Sequence, residues 1–328
     1  MKRRQLLIVF GASALAASFP ALAQPGKVAR VGFLAVRSRA TPPATEPYTG
    51  FVQGMRELGY IEGKNLVIEW RYADGKYERL PSLAAELVKL KVEVVVTTGA
   101  AANRAALQAT TSIPIVGATM SDPVESGFAV SLTRPGGNMT GLALTTTDMT
   151  PKHLELIRLV LPKLTRLALM VNLANSGNAA IAKSVQSIAQ KLGIKVQTLD
   201  ARNADGIERA FAIMKRERAE AVIVAIDAFF IEQRQQIAAL ALKNRLPSIF
   251  SVQEHTEAGG LMSYGQNLSD FYRRAAGYVD KILRGAKPGD LPIEQPAIYS
   301  LAINRKTAKA LGLTISRELM LRSDKVIE

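Results

Sequence analysis

The sequence predicts an α/β protein of two lobes, each a parallel sheet covered by helices. Three observations carry this. The chain is 328 residues long and 48% apolar, enough for two cores of ordinary size. From Lys27 onward, β-branched apolar runs alternate with helical periodicity, the pattern of strands that feed crossover helices. The rhythm then restarts near residue 167, as if one architecture were used twice.

In the first half, strands are expected at 30–36, 66–72, 92–98, 113–118 and 141–145. Between them, Phe51, Met55 and Leu58 recur at i, i+4, i+7, and Leu80, Leu83, Leu87 and Leu90 share one helical stripe. Gly59 and Gly63 supply stop signals. The turn-rich Arg134-Pro-Gly-Gly-Asn138 separates the halves, and the segment 139–146 is the natural crossing to the second lobe. There, strands are expected at 167–171, 196–199, 221–226, 248–251 and 261–264, with helices at 177–192, 205–217 and 230–244. A second crossing falls at 264–267. The amphipathic helix 269–284 needs a sheet to pack on, and after Lys287-Pro-Gly-Asp290 a strand at 297–303 leads into a helical tail. The chain therefore re-enters the first lobe and leaves it again, giving a first lobe of 28–143 plus 267–297 and a second of 144–266 plus 298–328.

Residues 1–23 stand apart. Lys2-Arg3-Arg4 form a positive n-region, residues 6–17 an apolar h-region, and Ala21-Leu22-Ala23 a small-residue cleavage site, so an export signal cut after Ala23 is expected. Arg3-Arg4 also fits a twin-arginine signal; the ordinary secretory route is the expectation. The apolar stretch is short and broken by Gly11, Ser13, Ser18 and Pro20, and no later segment is long enough to span a bilayer. The chain has no cysteine, which excludes disulfides, thiolate metal sites, a thiol nucleophile and a lipid-modified cysteine. Removing the signal leaves 39 basic against 28 acidic residues, +11. The basic residues are dispersed, and Lys215-Arg216-Glu217-Arg218 reads as a solvated helix face, so no nucleic-acid partner is expected.

Open parallel sheets bind ligands beyond the carboxyl ends of their strands, where helix N-termini offer unpaired N–H groups. That rule selects Arg37 and Ser38 after the first strand, Thr98, Gly99, Ala100 and Asn103 after the third, and Ser121 and Asp122 after the fourth. In the second half it selects Asn172, Asp227, Gln253, Glu254 and Tyr264. Thr98-Gly99 opens an alanine-rich helix whose amides can seat a carboxylate; the competing reading is a plain strand-to-helix turn. Asp122 before Pro123 looks like an N-cap with proline at the first helical position, and it can also line the cleft. Asp227 can hold an ammonium group or merely cap the helix that follows. Tyr264 and Phe229 either stack on a solute or pack in the core, and Trp70 is assigned to packing. His153 and His255 stand isolated, so no metal site and no catalytic base are expected. No GxSxG, HExxH, P-loop or GxGxxG stretch is present.

The segments Gly54-Met-Arg-Glu-Leu-Gly-Tyr-Ile-Glu-Gly-Lys-Asn65, Ile113-Pro-Ile-Val116, Ser121-Asp-Pro-Val124, Arg134-Pro-Gly-Gly-Asn138 and Glu257-Ala-Gly-Gly-Leu-Met-Ser-Tyr-Gly265 resemble the ABC-transporter substrate-binding family related to tryptophan-binding proteins. The match continues through Tyr278-Val-Asp-Lys-Ile-Leu283, Gly285-Ala-Lys-Pro288, Leu291-Pro292, Glu294-Gln-Pro296 and Lys306-Thr-Ala-Lys-Ala-Leu-Gly-Leu-Thr314, in order over nearly the whole mature chain. The resemblance implies a periplasmic-binding-protein type I fold, with two doubly wound lobes, three hinge crossings and a cleft that closes on a small solute. It implies a periplasmic, monomeric receptor with no cofactor and no catalysis. Its partner would be an ABC permease and ATPase, through which alone it meets the membrane. The characterised branch takes aromatic amino acids. Two departures bear on the cargo. Family members often carry a hydroxyl residue and proline after the glycine matching Gly99, whereas this chain has Ala100-Ala101-Ala102, so a bound carboxylate would rely on backbone amides, Thr98 and Asn103. Leu173 stands where a proline is common. The rival readings are an exported enzyme using Asp122, Asp227 or Glu254 as acid or base, and a binding module that signals to a sensor kinase.

Overall fold

The structure is a computed structural model that describes residues 28–39, 48–175 and 177–328; the expected signal at 1–23 lies outside them. The first lobe runs β1 (Ala29–Ala35), α1 (Thr49–Glu57), β2 (Leu66–Tyr72), α2 (Leu80–Lys89), β3 (Val94–Thr98), α3 (Ala100–Ala109), β4 (Ile115–Ser121) and β5 (Met139–Leu144). The second runs α4 (Thr146–Val160), β6 (Arg166–Val171), α5 (Gly177–Lys191), β7 (Lys195–Asp200), α6 (Ala204–Arg216), β8 (Ala221–Val224), α7 (Ala228–Glu232), α8 (Arg234–Lys243), β9 (Ser248–Phe250), α9 (Gln253–Glu257) and β10 (Met262–Gln266). The chain then returns as α10 (Leu268–Leu283) and ends with β11 (Tyr299–Asn304), α11 (Arg305–Ala310), α12 (Arg317–Leu321) and β12 (Lys325–Ile327).

The strands form a five-stranded sheet in the order β2-β1-β3-β4-β5 and a seven-stranded sheet in the order β12-β11-β10-β9-β8-β6-β7. Every pair is parallel except β10 with β11. Each sheet buries both faces, and the period of two shows it. Val31, Phe33 and Ala35 enter one core, closed by Phe51 and Met55 of α1 and Phe271, Ala275 and Val279 of α10. Leu34 and Val36 enter the other, closed by Leu83 and Leu87 of α2 and Ala102, Ala105 and Ala106 of α3. In the second lobe Leu167, Leu169 and Val171 face α4 and α5, while Ala168 and Met170 face α6 and α8.

Two details depart from expectation. The helix expected at 230–244 is split at Gln233 into α7 and α8. The final strand β12 is too short for periodicity to reveal; it exists because β11 offers it a parallel edge.

The return of α10 is secured by two glycines. A methyl group on Gly50 or Gly54 would overlap the backbone carbonyls of Ser269 and Arg273, so only glycine lets α1 and α10 approach this closely. Beyond α10, Glu294 exchanges backbone bonds with β5, donating to the Gly141 carbonyl at 3.1 Å and accepting from Ala143 N at 2.8 Å. Three crossings therefore join the lobes: β5 to α4, β10 to α10, and residues 295–298 leading into β11. The buried Gln266 ties all three, accepting from Thr145 N at 3.2 Å and donating to the Pro296 carbonyl. Gln266→Ala strands an amide and a carbonyl at the hinge and should cost about 2 kcal/mol, read as a lowered urea midpoint with an unchanged m-value.

Candidate functional site

A cavity of about 50 Å³ lies between the lobes. It sits at the carboxyl ends of β1, β3, β4 and β5 on one side and β6 and β8 on the other, as the strand-end rule requires. From the first lobe come Arg37, Tyr48, Thr98, Gly99 and Ala100, with Thr119, Ser121 and Leu144 beside them. The second lobe supplies Asn175, Ile226, Asp227, Ala228 and Ile231, and the returning α10 adds Leu268 and Tyr272.

Local sequence explains each placement. Gly99, at φ 82°, is the N-cap of α3 and turns the chain so that the helix start faces the cavity. Its N–H is held by Thr119, at 2.9 Å from the hydroxyl and 3.1 Å from the carbonyl. Asp227 caps α7, accepting from Phe229 N at 3.0 Å. The same carboxylate accepts from Asn172 Nδ2 at 3.1 Å, Asn175 Nδ2 at 2.8 Å and Tyr77 Oη at 2.7 Å. Burial raises its pKa, and the hydrogen bonds from Tyr77, Asn175, Asn172 and the Phe229 amide oppose that shift. Burial, then the Asp227 charge, pushes the Tyr77 hydroxyl well above its ordinary value.

Tyr77 belongs to the first lobe and Asp227 to the second, so their bond fastens one lobe to the other. Two more contacts cross the gap: Ser38 N donates to Glu232 Oε1 at 2.6 Å, and Arg37 approaches Glu254 at 3.8 Å. Tyr77 packs against the cores of both lobes, as does Ile226. The lobes are closed on each other.

Of the residues selected from sequence, Arg37, Thr98, Gly99, Ala100, Ser121 and Asp227 line the cavity together. The rest lie elsewhere. Ser38 meets the opposite lobe through its backbone. Asn103 is buried behind α3, accepting from Thr97 Oγ1 at 2.6 Å and donating to the Thr119 carbonyl at 3.4 Å, so its amide is turned away from the cavity. Asn172 lies behind Asp227 and positions it. Glu254 lines a separate hollow beside Gln266 and Tyr272. Tyr264 stacks on Tyr299 at 5.5 Å and meets His153 edge-on, within the second lobe. The expected helix cap at Asp122 is corrected. Asp122 has φ +43°, and Pro123 opens a turn in which Ser126 N bonds back to the Asp122 carbonyl at 2.8 Å. Asp122 lines a second hollow between the lobes, with Arg104 and Glu125 on its own side and Gly177 and Lys183 of α5 on the other.

Sequence reasoning missed Tyr48, Tyr77, Asn175 and Tyr272. Asparagines at 172, 175 and 178 recur at a spacing of three after a strand, a usable sign of a side-chain amide cluster. The tyrosines carry no local signal. Tyr48 and Tyr272 meet at 5.0 Å in an aromatic group with Phe33 and Trp70, which only the folded sheet assembles. Both histidines are buried: His153 Nε2 bonds the Tyr264 carbonyl at 2.7 Å, and His255 Nε2 bonds the Phe230 carbonyl at 3.1 Å. Among the described residues there is no metal-ligating cluster and no helix long and apolar enough to cross a membrane.

Two doubly wound lobes, three crossings and an interlobe cavity at the strand ends define a two-lobed solute-binding protein of the type I periplasmic-binding fold. Within that class the chain belongs to the ABC transporter substrate binding protein family, whose model matches residues 40–327. It is 25% identical over 274 residues to a tyrosine-binding protein of Clostridioides difficile (strain R20291), covering 83% of this chain and 78% of that one. A conserved domain protein from Vibrio cholerae O1 biovar El Tor superposes with a TM-score of 0.85 at 26% identity, over 92% of this chain and 100% of that one. The ABC domain from Streptococcus pneumoniae in complex with L-Trp gives 0.82 at 24% identity, over 91% and 99%. A ligand-free, open substrate-binding protein from Clostridium difficile gives 0.64 at 23% identity, over 92% and 99%.

Proposed function

We propose that this chain is the periplasmic receptor of an ABC importer, closing its lobes around a small solute, an aromatic amino acid or related carboxylate, and presenting it to a membrane permease. Residues 1–23 direct export and are removed after Ala23; the mature chain carries no lipid anchor and acts as a monomer, without cofactor or turnover. Relatives of similar fold that bind tyrosine or L-Trp support the solute class.

One observation carries the reading: the cavity lies between two lobes held together by contacts whose two ends belong to different lobes, Tyr77 with Asp227 and Ser38 with Glu232. Parting of those contacts widens the way in for a solute, and a solute that bridges both linings favours their return. Calorimetry and small-angle scattering on the mature chain with L-tyrosine, L-tryptophan and their carboxylate analogues test this. One-to-one heat, a smaller radius of gyration and recovery of the unaltered solute are expected. Chemical conversion of the solute, or scattering that no solute changes, would refute it.

A further inference from the structure

The cavity's polar groups are unevenly spent, and the imbalance bears on the solute that the receptor reading leaves open. An ionised carboxylate has four lone-pair sites. Asp227 fills all four: Phe229 N and Asn172 Nδ2 on Oδ1, Tyr77 Oη and Asn175 Nδ2 on Oδ2. Asn178 Nδ2 adds a longer approach at 3.5 Å. The one carboxylate in the lining is therefore satisfied by the protein itself.

The donors tell the opposite story. Arg37 Nε is buried with no hydrogen-bond partner among the described residues, and its guanidinium meets Glu254 only at 3.8 Å. The hydroxyl of Tyr48, a residue with no exposed surface, has no well-formed hydrogen bond among the described residues, although Thr98 and the Arg37 backbone approach it closely enough to oppose the upward push of burial on its pKa. Both line the cavity beside Gly99 and Ala100, the start of α3, where first-turn amides lack intrahelical partners. Around them the wall is apolar: Leu144, Ile226, Ile231 and Leu268.

Resting on the receptor reading, we infer that the solute is an apolar-bodied monocarboxylate without an α-ammonium group, its carboxylate seated on Arg37, Tyr48 and the start of α3. A guanidinium, a hydroxyl and helix amides are matched donors for a carboxylate. An ammonium would bring three N–H donors to a cavity whose carboxylate has no acceptor site left, and a buried donor left unpaired opposes binding.

Calorimetry on the mature chain with matched pairs tests this: 4-methylpentanoate with L-leucine, 3-phenylpropanoate with L-phenylalanine, and 3-(4-hydroxyphenyl)propanoate with L-tyrosine. In each pair that binds, the acid lacking the amine should bind at least about tenfold more tightly. Tyr48→Phe should weaken the acids by about tenfold with little change in melting temperature, since the lost hydroxyl makes no well-formed hydrogen bond in the free protein. Asn175→Ala reopens one Asp227 oxygen and should narrow the preference within each pair. Amino acids binding as tightly as their partners, or silence toward all three acids, would overturn the inference. Lobe closure on an amino acid or a neutral sugar, seen by scattering, would leave the receptor reading intact while this one falls. Lobes that respond to no solute would sink both.

Discussion

Asp227→Ala is expected to destabilise the folded protein by about 3 to 5 kcal/mol, because one substitution strands four donors in a dry interior. Tyr77 Oη, Asn172 Nδ2, Asn175 Nδ2 and Phe229 N all converge on a carboxylate that is only 2% exposed. Each orphaned donor costs on the order of 1 to 3 kcal/mol, less where water can enter the space left behind. The loss also removes the cap of α7. A fall in the urea midpoint at constant m-value would read this out. A loss below about 1 kcal/mol would mean that solvent replaces the carboxylate at no penalty, and that the cluster is not dry. Tyr77→Phe separates the lobe-to-lobe bond from the rest. It should cost only about 1 kcal/mol, yet shift the solute-free scattering toward the open form.

Mild acid should weaken the protein chiefly through its two histidines. Burial lowers the pKa of His153 to about 4 and that of His255 to about 3, against backbone bonds that pull the other way. Both folded values lie below the ordinary one of about 6.5. Between them the unfolded chain takes up protons that the folded chain refuses, so stability is complete above about 6.5 and drains away as pH falls. By pH 5 each histidine should have removed about 2 kcal/mol, roughly 4 together. Asp227 works in the opposite sense, since burial raises its pKa. The paired surface carboxylates, Glu57, Glu155, Glu220 and Glu257, have lowered pKa values and enter only at more acid pH. Urea midpoints at pH 7.5 and 5 for the parent, His153→Gln and His255→Gln check this: each variant should lose about half of the pH effect. An undiminished effect in both would assign it to other groups.

The parts of the fold that were legible are those governed by local periodicity. The strand at Leu66–Tyr72 and the stripe of leucines on α2 announce themselves because each is a local run of apolar residues, β-branched and aromatic in the strand and spaced at the helical period in α2. The first-lobe half of the site was legible for a related reason: Arg37, Thr98, Gly99 and Ser121 follow strand ends, and strand ends are visible in sequence. Asp122 was misread because a local rule, proline after a capping acid, met a backbone that turns left-handed there and forms no helix. Tyr77 and Tyr272 were invisible because their neighbours are set by lobe closure and by the return of α10, not by anything within reach along the chain.

The glycine-mediated seat of α10 on α1 has a consequence for how the molecule comes into being. Phe271, Tyr272, Ala275, Ala276 and Val279 finish the first lobe's core, yet the chain that precedes them includes most of the second lobe. A nascent polypeptide, made from its amino end, holds one flank of its first sheet uncovered until about residue 283 arrives. The early lobe is therefore the slow partner in assembly, and its bare hydrophobic flank is where a holding chaperone would find purchase.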